Sequence, residues 1–413
     1  MEFENRKSLF CQIFYLCGMF LAIIITITFL WVAAEWLLFS RTVARWRRSA
    51  RALYTTLTAL CSVPFWICFF IGRIWEIQTT FWAVLGAVNM TLFLLNAGVK
   101  ITLAIGLVGR LKCRQRWPMA VASVVAVIFT GLIGYGTFIE SRTLCIKHLT
   151  IYSDNLPAEA EGLRIAQISD VHFSLRPSSL TMARKITSAL EQIGPDIILD
   201  CGDLVNSRHS ELTEEILATL ATIKAPLGIY TVEGNHDRGD YITDTLSLPL
   251  EENHRLYLEK LASIGWQDLT GRTVAVAVGD NIGDTLYLTG LPYPASLGKG
   301  THGKAVEEDY TANFATIPSG AFNIVLAHNP MAWPSILRFS EAELTLSGHV
   351  HSMQMKLPIG ERGWSPAAWI YPHWSGHYEQ EGCHLNISDG IGSALPIRIG
   401  VPPSIVVIEL RRL

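Results

Sequence analysis

The stretch Leu227-Gly228-Ile229-Tyr230-Thr231-Val232-Glu233-Gly234-Asn235-His236-Asp237 decides how this chain reads. Its apolar part, from Leu227 to Val232, runs into a glycine and then Asn235, His236 and Asp237. That pattern predicts a buried strand whose carboxyl end turns tightly and presents polar side chains. Other apolar runs end alike, in Ser169-Asp170-Val171-His172, Cys201-Gly202-Asp203, Ala327-His328-Asn329 and Ser347-Gly348-His349-Val350-His351. Asp, His and Asn at successive strand ends have the donor chemistry of a metal site.

Between these ends the sequence alternates strand and helix patterns. Strands are expected at 163–169, 197–199, 227–232, 274–278, 286–289, 322–327 and 344–346. Helices are expected at 178–193, 210–223, 254–264 and 331–338, the first stopping at Gly194-Pro195. Asp170, Asp203 and Asn235 recur at the interval of βαβ units. Residues 299–315 read as a polar surface loop, and 141–161 as a polar connector with a short strand at 149–152.

Ahead of the connector lie four apolar stretches, about 11–39, 52–71, 80–108 and 118–139. Each is long enough for the roughly 20 helical residues that cross a bilayer, and the first is too long for a signal peptide. Arg41, Arg45, Arg47, Arg48 and Arg51 follow the first stretch, and Arg110, Lys112, Arg114 and Arg116 follow the third. The positive-inside rule puts both basic loops in the cytoplasm and everything after Ile139 outside. Asn89, Asn96 and Lys100 stand out within the spans; interhelical bonding or snorkelling is expected of them, with transport or sensing as the other reading. Gly131, Gly134 and Gly136 are expected to mark close helix packing.

The chain has 413 residues, half of them apolar, and a net charge of −3. No basic tract interleaved with aromatics appears in the soluble part, so nucleic acid is not an expected partner. Eight cysteines without a CxxC pair offer neither a disulfide framework nor a thiolate zinc site.

Carboxylate, imidazole and amide donors without thiolates suit Mn, Zn, Fe or Mg. Asp170, His172, Asp203, Asn235, His328, His349 and His351 are more ligands than one ion needs, so two ions sharing a carboxylate are expected. Such a pair can clamp a phosphoryl group and activate a water. Asp170 with His172, and His349 with His351, are expected to point to one side by strand alternation. Gly202, Gly234 and Gly348 are expected to let the backbone turn where the ligands converge.

Asp170-x-His172, Gly202-Asp203, Gly234-Asn235-His236-Asp237, His328 and Gly348-His349-x-His351, in that order, resemble the calcineurin-like metallophosphoesterase superfamily. The front end makes the chain similar to bacterial membrane-bound metallophosphoesterases and to transmembrane proteins carrying such a domain. The closing segment, from Ile391-Gly392 through Pro396-Ile397-Arg398 to 406–410, is similar to the end of that branch. The resemblance implies an α/β fold: a four-helix transmembrane region (1–140), the connector (141–161) and a four-layer α/β/β/α sandwich (162–413). It implies one ion on Asp170, His172 and His351, another on Asn235, His328 and His349, and Asp203 between them. It also implies that His236 serves the phosphate or the leaving oxygen as a catalytic group, with Asp237 orienting it. Ser352-Met353-Gln354 departs from the family's usual Gly-Gly-Gln, which bears on loop shape.

The remaining histidines, 148, 209, 254, 302, 373, 377 and 384, are expected to be hydrogen-bonded rather than ligating. Cys201 is expected to be a buried filler, and Asp200 either a support behind the ligands or a solvated turn residue. The aromatic run Trp364, Trp369, Tyr371, His373, Trp374, His377 and Tyr378 reads as a hairpin core or as a rim against a bilayer. The expected function is a membrane-anchored dinuclear-metal phosphoesterase in a bacterial inner membrane, its catalytic domain extracytoplasmic. It would hydrolyse a phosphate ester or pyrophosphate bond, with a lipid-linked substrate preferred, by attack of a metal-activated hydroxide assisted by His236. The alternative is a membrane transport or signalling protein whose domain only binds a ligand.

Overall fold

The computed structural model describes residues 25–75, 80–174, 177–239, 242, 248–280, 284–294, 308–360, 362–392 and 397–413. Two compact units emerge, Met1–Ile139 with Leu395–Ile399, and Glu140–Ala394 with Gly400–Leu413.

The first unit is helical: α1 (Ile25–Arg45, closing in a 3-10 turn), α2 (Arg48–Trp75), α3 (Thr80–Cys113) and α4 (Trp117–Phe138). Three segments, Ile25–Arg45, Val88–Cys113 and Trp117–Arg142, are long and apolar enough to cross a membrane. Residues 11–24 of the first expected span lie outside the described residues. The second expected span falls on α2, a 28-residue helix that continues through Pro64.

Polar side chains in this unit pair with one another. Lys100 meets the Glu35 carboxylate and lies 2.5 Å from Thr58 Oγ1, and the Tyr54 hydroxyl donates to Glu35 at 2.9 Å. Asn96 donates to Ser62 Oγ at 2.8 Å, and Asn89 Nδ2 lies 3.5 Å from Cys68 Sγ. Lys100 is thus buried in an interhelical network and does not snorkel. The expected role of two α4 glycines is corrected: a Cβ at Gly131 or Gly134 would meet nothing within 4 Å, whereas one at Gly136 would stand 2.4 Å from the Arg398 carbonyl oxygen. Close packing instead falls on α3, where a Cβ at Gly98 would sit 2.4 Å from the Phe129 ring and one at Gly106 2.3 Å from Ala122 Cβ.

The second unit holds two six-stranded sheets. One is ordered β1 (Cys145–Ser153), β12 (Ser404–Arg412), β2 (Arg164–Ile168), β3 (Ile197–Asp200), β4 (Ile229–Thr231) and β5 (Gln267–Asp268). The other is ordered β10 (Gly376–Gln380), β11 (Cys383–Ile387), β9 (Leu344–Ser347), β8 (Asn323–Leu326), β7 (Thr285–Gly290) and β6 (Arg272–Ala277). β2 to β5 run parallel, as do β7, β8, β9 and β11. The central strands are buried on both faces, which is why they read as unbroken apolar runs.

Ile165, Ile197 and Leu199 meet Leu286, Ile324 and Leu346 in the core between the sheets. On the outer face of the first sheet, Ala183, Ile186 and Leu190 form the apolar stripe of α5 (Pro177–Ile193) and cover Ala166, Ile168 and Ile198. α6 (Glu214–Leu220) and α7 (Leu250–Ser263) complete that layer, and α9 (Trp333–Phe339) packs on the second sheet after the single turn α8 (Thr311–Phe314).

Three sequence expectations change. The helix expected at 210–223 splits into a 3-10 turn, His209–Glu211, and α6, because Thr213 adopts an extended conformation and caps the amide of Ile216. The expected connector contributes β1, paired in parallel with β12 over its whole length. The strand expected at 149–152 extends back to Cys145, where the half-exposed pattern with Lys147 and His148 hid its first half. Of the expected loop at 299–315, residues 299–307 lie outside the described residues and Thr311–Phe314 is helical.

Candidate active site

Asp170 and His172 follow β2, Asp203 follows β3, Asn235 follows β4, His328 follows β8, and His349 and His351 follow β9. All these strands are parallel within their sheets, so their carboxyl ends open on a common edge, the usual place for a ligand in such sheets. Backbone bonds tie neighbouring ends together: Asp170 N donates to Gly202 O at 2.8 Å and His172 N to Asp203 O at 3.0 Å. The two sheets join where His349 N donates to the Asp170 carboxylate at 2.9 Å.

The ligand pairs do not converge by strand alternation, which corrects that expectation. Asp170, His172, Asp203, His349 and His351 lie beyond the strands with φ of 52°, 49°, 56°, 70° and 51°. Left-handed backbone costs a non-glycine residue about 1–2 kcal/mol, and such strain collects at functional sites. Here it folds each ligand back over its strand end. Of the three glycines, Gly202 alone has the positive φ, +93°. Gly234 and Gly348 serve close approach instead: their Cβ atoms would stand 2.0 Å from Asp203 Oδ1 and 1.9 Å from Ser169 Oγ.

Asp170, His172 and His351 form one cluster and Asp203, His328 and His349 another, with the offered ligand atoms of each within 4.8 Å of one another. In the first, His172 Nε2 and His351 Nε2 are 3.2 Å apart, and His351 Nε2 is 3.2 Å from Asp170 Oδ1. In the second, His328 Nε2 lies 3.2 Å from both Asp203 Oδ2 and His349 Nδ1. Asp203 Oδ2 also reaches His172 Nε2 at 3.8 Å, so one carboxylate touches both clusters. Asn235 is buried at the end of β4, one residue before the His236 amide that donates to Asp203 Oδ1 at 2.9 Å.

This donor set fits divalent cations. Nitrogens 3.2 Å apart match one edge of a coordination shell with bonds of about 2.0–2.1 Å. The electrostatics agree. Burial opposes ionisation of Asp203, yet the His328 and His236 imidazoles hold its carboxyl well below the usual range. Burial likewise opposes charge on His328, yet Asp203 beside it pushes it up to about 10. Burial and then His236 press His172 well below its usual value. Carboxylates that demand a buried positive charge, among imidazoles that can donate nitrogen lone pairs, are what an ion of charge two satisfies.

His236 stands beside the clusters, its ring edge-on to His172 at 4.5 Å between centroids. Its Nδ1 lies 2.6 Å from the Asn206 carbonyl, a contact that requires the proton on Nδ1. The expectation that Asp237 orients His236 is therefore corrected. The Asp237 oxygens accept from the amides of Asp203 at 2.6 Å, Gly234 at 3.0 Å and Val205 at 3.1 Å, so Asp237 pins the Asp203 turn to the Gly234 turn.

Several supporting residues escaped the sequence reading. Ser169 Oγ donates to Asp170 at 2.5 Å, and the Cys201 carbonyl fixes His328 Nδ1 at 2.7 Å. Asp389 accepts from Lys147 Nζ at 2.7 Å and from the hydroxyl of Ser352, the residue after His351. Gly390 passes so close that a Cβ would stand 2.7 Å from His351 Nδ1, and Gly392 N donates to Asp170 O at 2.7 Å. A weak signal was there: 383–390 alternates polar and apolar residues before an Asp-Gly turn. Tyr293 and Tyr371 line the other side, their ring centroids 5.9 Å and 6.3 Å from that of His349.

Cys201 is buried, as expected of a filler. Asp200 is buried too and bonded to Thr231 Oγ1 at 2.7 Å, which excludes the solvated-turn reading. The aromatic run divides: Tyr371 and Trp374 are buried, whereas Trp369 is 78% exposed on a 3-10 turn, Pro366–Trp369.

Residues 163–353 match the sequence profile of the calcineurin-like phosphoesterases. The chain carries a calcineurin-like metallophosphoesterase domain. The chain is 26% identical over 285 residues to "Uncharacterized metallophosphoesterase YkuE" of Bacillus subtilis, an alignment that covers 68% of this chain and 90% of that one. It is 28% identical over 240 residues to the "Transmembrane protein with metallophosphoesterase domain" of Danio rerio, covering 56% and 50%. It is 24% identical over 328 residues to "UDP-2,3-diacylglucosamine pyrophosphatase LpxG" of Chlamydia muridarum, covering 70% and 95%. The family is one of metal-dependent hydrolases, and the His and Asp clusters lie where such chemistry needs them.

Proposed function

We propose that this phosphoesterase is a membrane-anchored enzyme with two divalent ions, hydrolysing a phosphate ester or pyrophosphate bond of a lipid-linked substrate. The observation that carries the two-ion reading is Asp203, whose Oδ2 reaches His172 at 3.8 Å and His328 at 3.2 Å. Asp170, His172 and His351 would hold one ion, Asn235, His328 and His349 the other, with Asp203 between them. Bound there, two ions supply charge neutralisation for the phosphoryl oxygens and a water of lowered pKa.

The chain's own groups do the rest. The Asn206 carbonyl accepts from His236 Nδ1–H, so Nε2 faces the leaving oxygen as a proton donor when the ring is imidazolium, with both nitrogens protonated. Asp237 keeps the Asp203 and Gly234 turns in register without touching the substrate. The similarity to the chlamydial UDP-2,3-diacylglucosamine pyrophosphatase supports the lipid-linked preference.

In this reading residues 1–140 are the anchor and 162–413 the catalytic domain. α2 is a fourth span beside the three apolar helices. The basic loops around Arg41–Arg51 and Arg110–Arg116 then lie in the cytoplasm of a bacterial cell and the catalytic domain outside it.

The test is hydrolysis of an aryl phosphodiester, an aryl phosphomonoester and a lipid-linked pyrophosphate by the full-length protein in lipid nanodiscs. Mn or Zn is added, with EDTA controls and Asp203→Asn alongside. Metal-dependent turnover that disappears in Asp203→Asn supports the reading, and the ratio among substrates assigns the ester class. Full metal loading with no turnover on any of the three rejects it in favour of a ligand-binding module.

A further inference from the structure

An apolar rim begins on the turn that carries the candidate ligand His351 and continues along the residues after it. Met353, Ile359 and Trp369 are 43%, 61% and 78% exposed. Of the other well-exposed large apolar side chains of the catalytic unit, Ile146 and Tyr152 lie along the edge strand β1 and Leu250 and Leu413 stand apart, whereas these three lie on the stretch that begins at the His351 turn. Single exposed apolar residues need no explanation, but a cluster beside a functional centre does.

The cluster is built rather than frayed. Four successive non-glycine residues, His351 to Gln354, have φ of 51°, 50°, 46° and 58°, a left-handed turn that carries Met353 outward directly after a ligand. Ser365 Oγ bonds the Ser352 carbonyl at 2.6 Å and locks this turn to the Pro366–Trp369 turn. The Trp364 and Trp369 rings meet edge-on at 5.3 Å. Ala367, Tyr371 and Trp374 root the segment in the core with Val325 and Ala327. Arg362 is exposed within the same stretch and stacks on Tyr378 at 3.9 Å, and Lys356 lies over Trp374 at 5.4 Å.

We propose that this rim, Met353, Ile359 and Trp369 flanked by Lys356 and Arg362, rests in the headgroup–acyl boundary of the bilayer and sets the metal centre beside it. The inference rests on the membrane-anchored reading above. Two observations select a bilayer over another occupant. The chain itself carries helices apolar enough to span one. The rim also combines an exposed tryptophan with flanking cations, and tryptophan favours the interface while lysine and arginine favour anionic headgroups.

The test uses full-length protein in nanodiscs of phosphatidylethanolamine with or without phosphatidylglycerol. The photoreactive residue benzoyl-phenylalanine replaces Trp369, Ile359 or, as a control, the exposed Glu379. Lipid adducts detected by mass at 369 and 359 but not at 379 are the expected result. Phosphatidylglycerol should raise the yield, and Arg362→Glu should lower it about fivefold, as about 1 kcal/mol per cation at the surface implies. Absence of lipid adducts at 369 and 359, or adducts to a second copy of the chain, overturns the proposal. A yield indifferent to both phosphatidylglycerol and Arg362→Glu overturns the part given to the cations. Adduct mass is independent of turnover, so the result stands apart from the success or failure of the hydrolysis assay.

Discussion

His172 Nε2 and His351 Nε2 lie 3.2 Å apart, although one follows a strand of the first sheet and the other a strand of the second. An ion held between them staples the two sheets at their open edge. Metal removal should therefore act on stability as well as on activity. EDTA should lower the melting temperature of the full-length protein in detergent, and Mn or Zn in excess over its Kd should restore it, about 2.7 kcal/mol at a hundredfold excess. His351→Ala should bind fewer ions by elemental analysis and lose most of that restoration.

His236 should separate chemistry from metal binding. His236→Ala is expected to keep its metal content and to lose about 10²–10⁴-fold in kcat, the range of a general acid. The loss should shrink for a nitrophenyl leaving group, which needs little protonation. A proportionate fall in bound metal would instead place His236 among the ligands, an arrangement its grouping with His172 and Asp203 allows.

Asp389 should act on the metal through Ser352 and His351. Asp389→Asn keeps the shape but weakens its grip on Lys147 and Ser352. Apparent metal affinity should fall about 10–100-fold, as for outer partners of metal ligands. Activity at saturating metal should largely recover, and a metal titration of activity reads both quantities.

Glu211 provides a pH dependence away from the metal. Burial pushes its carboxyl up to about 7, against backbone hydrogen bonds from Ser207 and Arg208 that favour the charged form. The unfolded chain releases this proton near the ordinary carboxylate range while the folded chain keeps it. Stability therefore falls as pH rises from about 4.5 to about 7 and levels off above. Glu211→Gln should remove that component, on the order of 2–3 kcal/mol, from the melting temperature measured across this range.

Lys100 and Glu35 should behave as a unit. Lys100→Met strands the Glu35 carboxylate and should destabilise the helical unit by about 3–5 kcal/mol, whereas Lys100→Met with Glu35→Met should recover most of the loss. Thermal inactivation of the detergent-solubilised variants distinguishes the two. Equal damage from the single and the double change would show that the pair is not the relevant contact.

Much of this protein is legible in one dimension because its information is local. Apolar runs ending in Asp, Asn or His named the central strands β2, β3, β4, β8 and β9 and the seven candidate ligands, since parallel strands buried on both faces can hardly be anything but apolar. Three of the four expected apolar spans are legible for the same reason, as helices long and apolar enough to cross a membrane among the described residues. What the sequence could not carry is the meeting of distant segments. Edge strand β1 was legible only at 149–152; its start at Cys145 and its pairing with β12 emerged from the structure. Gly98 and Gly106, not Gly131 and Gly134, proved to be the points of helix contact. Asp237 stood next to His236 in sequence but spends its oxygens on three amides, while the carbonyl of Asn206 takes the role expected of it. Residue chemistry alone determined that this chain handles metal and phosphate. Which side chains support the ligands, and which face of the aromatic run stays exposed, was decided only by the left-handed turns and the packing of the two sheets. Those depend on atoms that touch across hundreds of residues and leave no periodic trace in the sequence.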